Sequence, residues 1–217
     1  GSVTRFGNPD MTGFTCCNGT ALESSTKLQN TIYFKSQDND AVYVNLFVPS
    51  TLEWAEKNII VEQKTAFPKT DHTKLIIKGT GKFDLKIRVP QWATKGVSVK
   101  VNGKEEKVEA IPSTYLTLSR KWKDGDVIDL EMPFEFHLNP VMDQQNIASL
   151  FYGPILLVAQ ESEPRNEWRK VTLDAKDIGK SIQGDPKTLQ FTIDGMTFKP
   201  FYETYGRHSV YLDVTLE

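Results

Sequence analysis

The sequence predicts a mainly β protein: an antiparallel β-sandwich or jelly roll preceded by one helix. Three observations carry this expectation. From residue 41 onward, short apolar runs recur about every ten residues, as in two-layer β folds. Several of these runs alternate strictly between apolar and polar residues, the period of a half-buried strand. Between them lie turn signals, above all Asn102-Gly103, Lys123 to Asp126 (KDGD) and Asp194-Gly195.

The helix comes first. Thr20 is placed to serve as its N-cap, with Glu23 three residues later completing a capping box. Ala21, Leu22, Leu28, Ile32 and Tyr33 then recur at helical spacing up to about Phe34. The apolar stripe is thin, and a lone helix of this length needs a neighbour to be stable in water. Without one it is expected to be mobile, re-docked or paired with another copy.

SQDND (36–40) is a loop, and AVYVNLFVP (41–49) reads as the first strand. TKLIIKG (73–79) follows. In FDLKIRVPQW, Phe83, Leu85, Ile87 and Val89 form a buried face opposite Asp84, Lys86 and Arg88. Val97, Val99 and Val101 enter a hairpin at Asn102-Gly103. Residues 115–122 and 127–132 flank the KDGD turn. ASLFYGPILLVAQE (148–161) is almost continuously apolar and reads as one strand buried on both faces, bent at Gly153-Pro154. After the polar stretch SEPRNEW (162–168), a hairpin about Asp194-Gly195 and the alternating run HSVYLDVTL complete the chain. The expected division is 1–35, 36–162 and 163–217, the last being a small β unit or the closing strands of the sandwich.

With 217 residues, the chain is long enough for one large core or two small ones. Its formal net charge of −2 lacks the basic face that nucleic acid or an anionic membrane requires, so neither is expected as a partner. No apolar run reaches the roughly 18–20 residues of a membrane span, and the opening GSVTRFGNPDM is no signal peptide. Gly1-Ser2 reads as an expression scar, so the natural chain is expected to begin upstream.

Both cysteines, Cys16 and Cys17, are adjacent. A trans peptide holds their Cα atoms about 3.8 Å apart, short of the ~4.4–6.8 Å of an ordinary disulfide. They read either as buried structural thiols or as metal ligands. Thiols before a helix N-terminus favour the thiolate, but a closed zinc site needs four protein ligands, and His72, His137 and His208 lie far along the chain. The pair is half a site. Among the tryptophans, Trp92 and Trp122 sit in strand patterns and read as packing. Trp54 and Trp168, beside polar loops, are the candidates for carbohydrate contact.

The run TCCNGTALESSTKLQNTIYF, followed by AVYVNLFVPSTLEW, resembles the end of the catalytic region of glycoside hydrolase families 127 and 146, the β-L-arabinofuranosidase-type enzymes. KIRVPQWA, WKDGDVIDLEMPFEF, FYGPILLVAQE and KPFYETYGRHSVYLDV resemble the β-sandwich segments that follow it. The resemblance implies an upstream (α/α)6 barrel partnered in cis, with 1–35 as its end, and zinc in the intact enzyme. It implies that Cys16 is the nucleophile and a zinc ligand, and that Cys17 is a second ligand. The third cysteine, the zinc-binding glutamate and the acid/base glutamate match nothing here. The fragment is therefore expected to hold no zinc and to be inactive. The intact enzyme would take an arabinose-containing plant oligosaccharide, and its bacterial parent would be secreted or periplasmic. Two other roles fit the residues: a carbohydrate-binding accessory module, or a purely structural interaction domain.

Overall fold

Alternation along the strands becomes two sheets facing one another, because each strand has one apolar side to bury. A computed structural model describes residues 16–217, without the side chains of Cys16, Cys17, Asn18 and Ser25. Helix α1 (Cys16–Lys27) leads into a 3₁₀ turn (Leu28–Thr31). The first β unit follows: β1 (Tyr33–Lys35), β2 (Ala41–Val44), β3 (Ser50–Trp54), β4 (Ile59–Thr65), β5 (His72–Lys78), β6 (Gly81–Val89), β7 (Ser98–Val101), β8 (Lys104–Glu105), β9 (Thr114–Trp122) and β10 (Val127–Glu131). One sheet runs β1-β2-β6-β9 and the other β3-β4-β5-β10-β7-β8.

Their inner faces share one core. Val42, Val61, Leu75, Leu85 and Ile128 are wholly enclosed there, and the indole N–H of Trp122 donates to the Phe83 carbonyl at 3.0 Å. Phe83, Leu85, Ile87 and Val89 point inward as expected. Asn102 and Gly103 both have positive φ, the geometry of a two-residue hairpin between β7 and β8.

The second unit comprises β11 (Phe136–Val141), β12 (Gln144–Tyr152), β13 (Ile155–Gln160), β14 (Arg169–Leu173), β15 (Gln183–Asp185), β16 (Gln190–Ile193), β17 (Met196–Pro200), β18 (His208–Ser209) and β19 (Leu212–Leu216). Its sheet runs β14-β19-β12-β13-β17-β16-β15, with β11 on β12 and β18 on β13. Leu150, Leu157, Phe191, Phe198 and Leu212 form a separate core. Aromatic rings link the two units. Phe134 meets Trp92 edge-on at 5.3 Å and Tyr152 at 5.6 Å, and Phe136 meets Tyr152 at 4.8 Å and Phe191 at 4.9 Å.

Several expectations change. The helix begins at Cys16, so Thr20 lies inside it, and α-helical structure ends at Lys27. Tyr33 and Phe34 belong to β1, where pairing with β2 outcompetes a thin apolar stripe. Leu22 and Leu28 remain 60% and 59% exposed. The sandwich is not purely antiparallel, since β2 pairs parallel to β6, as β14 does to β19. HSVYLDVTL is two strands, β18 and β19, on different neighbours. The run ASLFYGPILLVAQE is also two strands, a hairpin in register Tyr152↔Ile155. Both strands of that hairpin pair within the sheet of the second unit.

The reversal depends on Gly153. Its φ is +52°, and a Cβ there would lie 2.6 Å from the Phe134 ring. Gly153→Ala is therefore expected to cost about 1–3 kcal/mol, from backbone strain plus overpacking. A urea midpoint unchanged from the parent would show that the turn and Phe134 adjust freely.

β1, β3, β4, β11, β14 and β15 had no strand in the sequence reading. In β4 the inward positions are Ile59, Val61 and Gln63, and the glutamine hides the alternation. Gln63 is only 2% exposed because its amide donates to the carbonyls of Leu46 at 3.0 Å and Val48 at 2.8 Å.

Candidate functional site

Of the four residues nominated from sequence, Trp54 and Trp168 lie in different β units. Cys16 and Cys17 open helix α1, and their side chains lie outside the described residues. Two thiolates suit zinc but fill at most half of a four-ligand set. Among the described residues no group of three or more His, Cys, Asp or Glu side chains could hold a metal ion. No described helix is long and apolar enough to cross a membrane.

Trp54 ends β3 and is 2% exposed. Its ring meets Phe83 edge-on at 5.4 Å, with the Lys57 ammonium 5.3 Å from its centroid. An enclosed ring has no face to offer a sugar, so Trp54 belongs to the core. Trp168 is half-exposed and meets Tyr211 edge-on at 6.0 Å, so it remains accessible.

A crevice of about 610 Å³ opens where the loop after β2 and the end of β6 face β11 and the Gly153 turn. Its walls are rigid for local reasons. Asn45 donates to the Thr31 carbonyl at 2.9 Å and accepts from the Tyr115 hydroxyl at 2.7 Å. Trp92 follows Pro90, which ends β6, and is half-buried beside Phe67 and Phe134. The His137 ring stacks on Phe151 at 5.2 Å, and its Nε2 lies 2.9 Å from the Gly153 carbonyl. Glu135 accepts from the Thr94 hydroxyl at 3.1 Å and pairs with Lys95 at 2.6 Å; that hydrogen bond raises the Lys95 pKa. Burial raises that of Tyr152, on the inner side of the aromatic bridge. Arg88, on the rim, has no ion pair or side-chain hydrogen bond among the described residues.

A second concavity, about 600 Å³, lies on the outer face of the sheet containing β4, β5, β10 and β7. Its charges largely compensate one another, as in the Lys74–Asp129 pair at 3.2 Å, and it has no aromatic lining. The crevice is the better-built site. Sequence reading missed it because Trp92 looked like strand packing; the available signal was its position just past a proline that ends a strand.

Residues 41–134 match the family model of the β-L-arabinofuranosidase GH127 middle domain. The matched segment spans most of the first β unit and contributes Asn45, Arg88 and Trp92 to the crevice. Solved structures extend the likeness in fold to nearly the whole chain. One described as a glycoside hydrolase superposes with a TM-score of 0.73 at 19% identity, covering 94% of this chain and 40% of its own. A GH127 β-L-arabinofuranosidase from Geobacillus stearothermophilus T6 gives 0.71 at 17% identity, covering 99% and 41%. A GH127 β-arabinofuranosidase gives 0.69 at 24% identity, covering 92% and 38%. The chain thus spans about two-fifths of the length of these structures. The comparison with curated proteins found no match.

Proposed function

We propose that the chain is the C-terminal part of a longer, zinc-dependent retaining hydrolase acting on L-arabinofuranosides or similar sugars. The match of residues 41–134 to the GH127 middle domain carries this reading. In it, Cys16 is the nucleophile and a zinc ligand, Cys17 is a second ligand, and the remaining ligands and the acid/base carboxylate come from sequence before Gly1. Bound zinc would keep the two thiols deprotonated at neutral pH. The pair opens α1, which leads through the 3₁₀ turn into β1 of the sandwich. The two β units act as the platform against which the catalytic part is held, and the chain by itself is inactive.

The test uses the natural protein with its upstream sequence, assayed on an aryl β-L-arabinofuranoside. Cys16→Ser is expected to lower kcat by at least about 10³-fold, as loss of a nucleophile does, with the fold retained by circular dichroism. Undiminished turnover in that variant would remove Cys16 from the chemistry. For the 217-residue chain alone, metal analysis is expected to find well under one zinc per molecule. Stoichiometric zinc would place a complete ligand set within it.

A further inference from the structure

We infer that the crevice between the two β units binds a hydroxylated sugar, a di- or trisaccharide, through Trp92, Arg88 and His137. Its volume of about 610 Å³ lies within the range of small-molecule sites, which favour interfaces between units and combine apolar walls with a few fixed polar groups.

Trp92 supplies the wall. Phe67 lies alongside it at 6.2 Å with planes 24° apart, and Phe134 abuts it edge-on at 5.3 Å. The indole is therefore held in one orientation, and a rigid aromatic offers contact area at little entropic cost. Its N–H has no hydrogen-bond partner among the described residues, although half-buried indoles ordinarily find one.

Arg88 and His137 supply complementary polarity. The guanidinium is exposed and unpaired among the described residues, leaving five donors in a planar fork. At His137 the group 2.9 Å from Nε2 is the Gly153 carbonyl, which can only accept; Nε2 therefore carries the proton, and Nδ1 of the neutral ring is an acceptor. A donor fork and a ring acceptor beside an aromatic plane match adjacent sugar hydroxyls over a C–H face. Glu135 is already held by Thr94 and Lys95, so the uncompensated charge of the crevice is that of Arg88. The walls are set before any ligand arrives, which lowers the ordering cost of binding.

The choice of an arabinose-containing probe rests on the proposed function; the crevice does not. The 217-residue chain would be titrated with L-arabinose, arabinan-derived di- and trisaccharides, and trigalacturonate, following the ¹⁵N indole resonances and the heat. A saturable shift of the Trp92 indole is expected with at least one oligosaccharide. Arg88→Ala, a surface change that leaves the fold intact, is expected to weaken binding by about tenfold or more, as loss of a charged hydrogen-bond donor does. Trp92→Ala abolishes it, whereas Trp168→Ala leaves it unchanged. Binding of trigalacturonate alone supports the crevice and counts against arabinose as the substrate sugar. No shift of the Trp92 signal with any saccharide, or binding that ignores Arg88→Ala, overturns the inference.

Discussion

Trp122→Ala is expected to lower the unfolding free energy of the chain by about 3–5 kcal/mol, the range for large aromatic truncations in a core. Trp122 is wholly enclosed at the end of β9. It leans on Phe83 at 5.8 Å, with the Arg120 guanidinium 5.4 Å from its ring, and donates to the Phe83 carbonyl at 3.0 Å. Truncation leaves both a cavity and a carbonyl deprived of one donor, so the loss is expected near the upper end of the range. Phe83 and Trp122 lie on neighbouring strands, with Gly81 opposite Trp122 in the register, so the damage falls on the β6–β9 pair. Hydrogen exchange is the discriminating measurement. Amides of β6 and β9 should lose protection while those of β12 and β13 keep theirs, because the second unit has its own core. Equal loss in both units would show that the aromatic bridge makes them one cooperative block.

The second large effect concerns the buried pair Glu161–Arg169. The Glu161 side chain is only 5% exposed, and it accepts from Arg169 Nε at 2.9 Å and the Ser209 hydroxyl at 2.8 Å. These bonds tie the end of β13 to the start of β14 and to β18. Arg169→Met leaves a largely enclosed carboxylate without a cation that is itself 23% exposed, and is expected to cost about 1–3 kcal/mol. The double variant Glu161→Gln/Arg169→Met should recover much of this, since neither charge is then stranded. A double variant no better than the single would assign the loss to packing of the arginine stem. The pair also predicts a pH dependence. The Arg169 hydrogen bond holds the Glu161 pKa below its ordinary 4.5, against the opposing effect of burial. A depressed folded-state pKa means the contribution is complete above the unfolded value and is lost as pH falls through the folded one. Stability measured from pH 6 downward should therefore begin to fall near pH 4.5 in the parent. That component should be missing in Glu161→Gln.

The β character was readable because Phe83, Leu85, Ile87 and Val89 alternate without interruption, and because Asn-Gly and Asp-Gly pairs take positive φ readily. Where reading failed, a long-range partner decided the outcome. Gln63 broke an alternation that holds in space, since the carbonyls accepting from its amide N–H groups lie fifteen or more residues away. Gly153 looked like a bend, and only its fit beneath Phe134 shows a reversal. Tyr33 continued a helical spacing but went to β1, because a paired strand satisfies its backbone better than the end of a solitary helix.

The candidate site divides in the same way. Cys16-Cys17 is visible by adjacency alone, and the family resemblance rests on contiguous strings, so both are properties of the sequence. Sequence patterning ranked the tryptophans the other way, with Trp54, beside a polar loop, as the sugar contact and Trp92, in a strand pattern, as packing. Burial placed the first in a core and the second in a crevice whose other wall comes from β11 and the Gly153 turn, more than forty residues later. Local patterning thus determined many of the strands and turns, because those preferences depend on neighbouring residues. Which aromatic faces a ligand, and which charge is left unpaired beside it, depend on surfaces brought together by folding. Only the tertiary structure decided those.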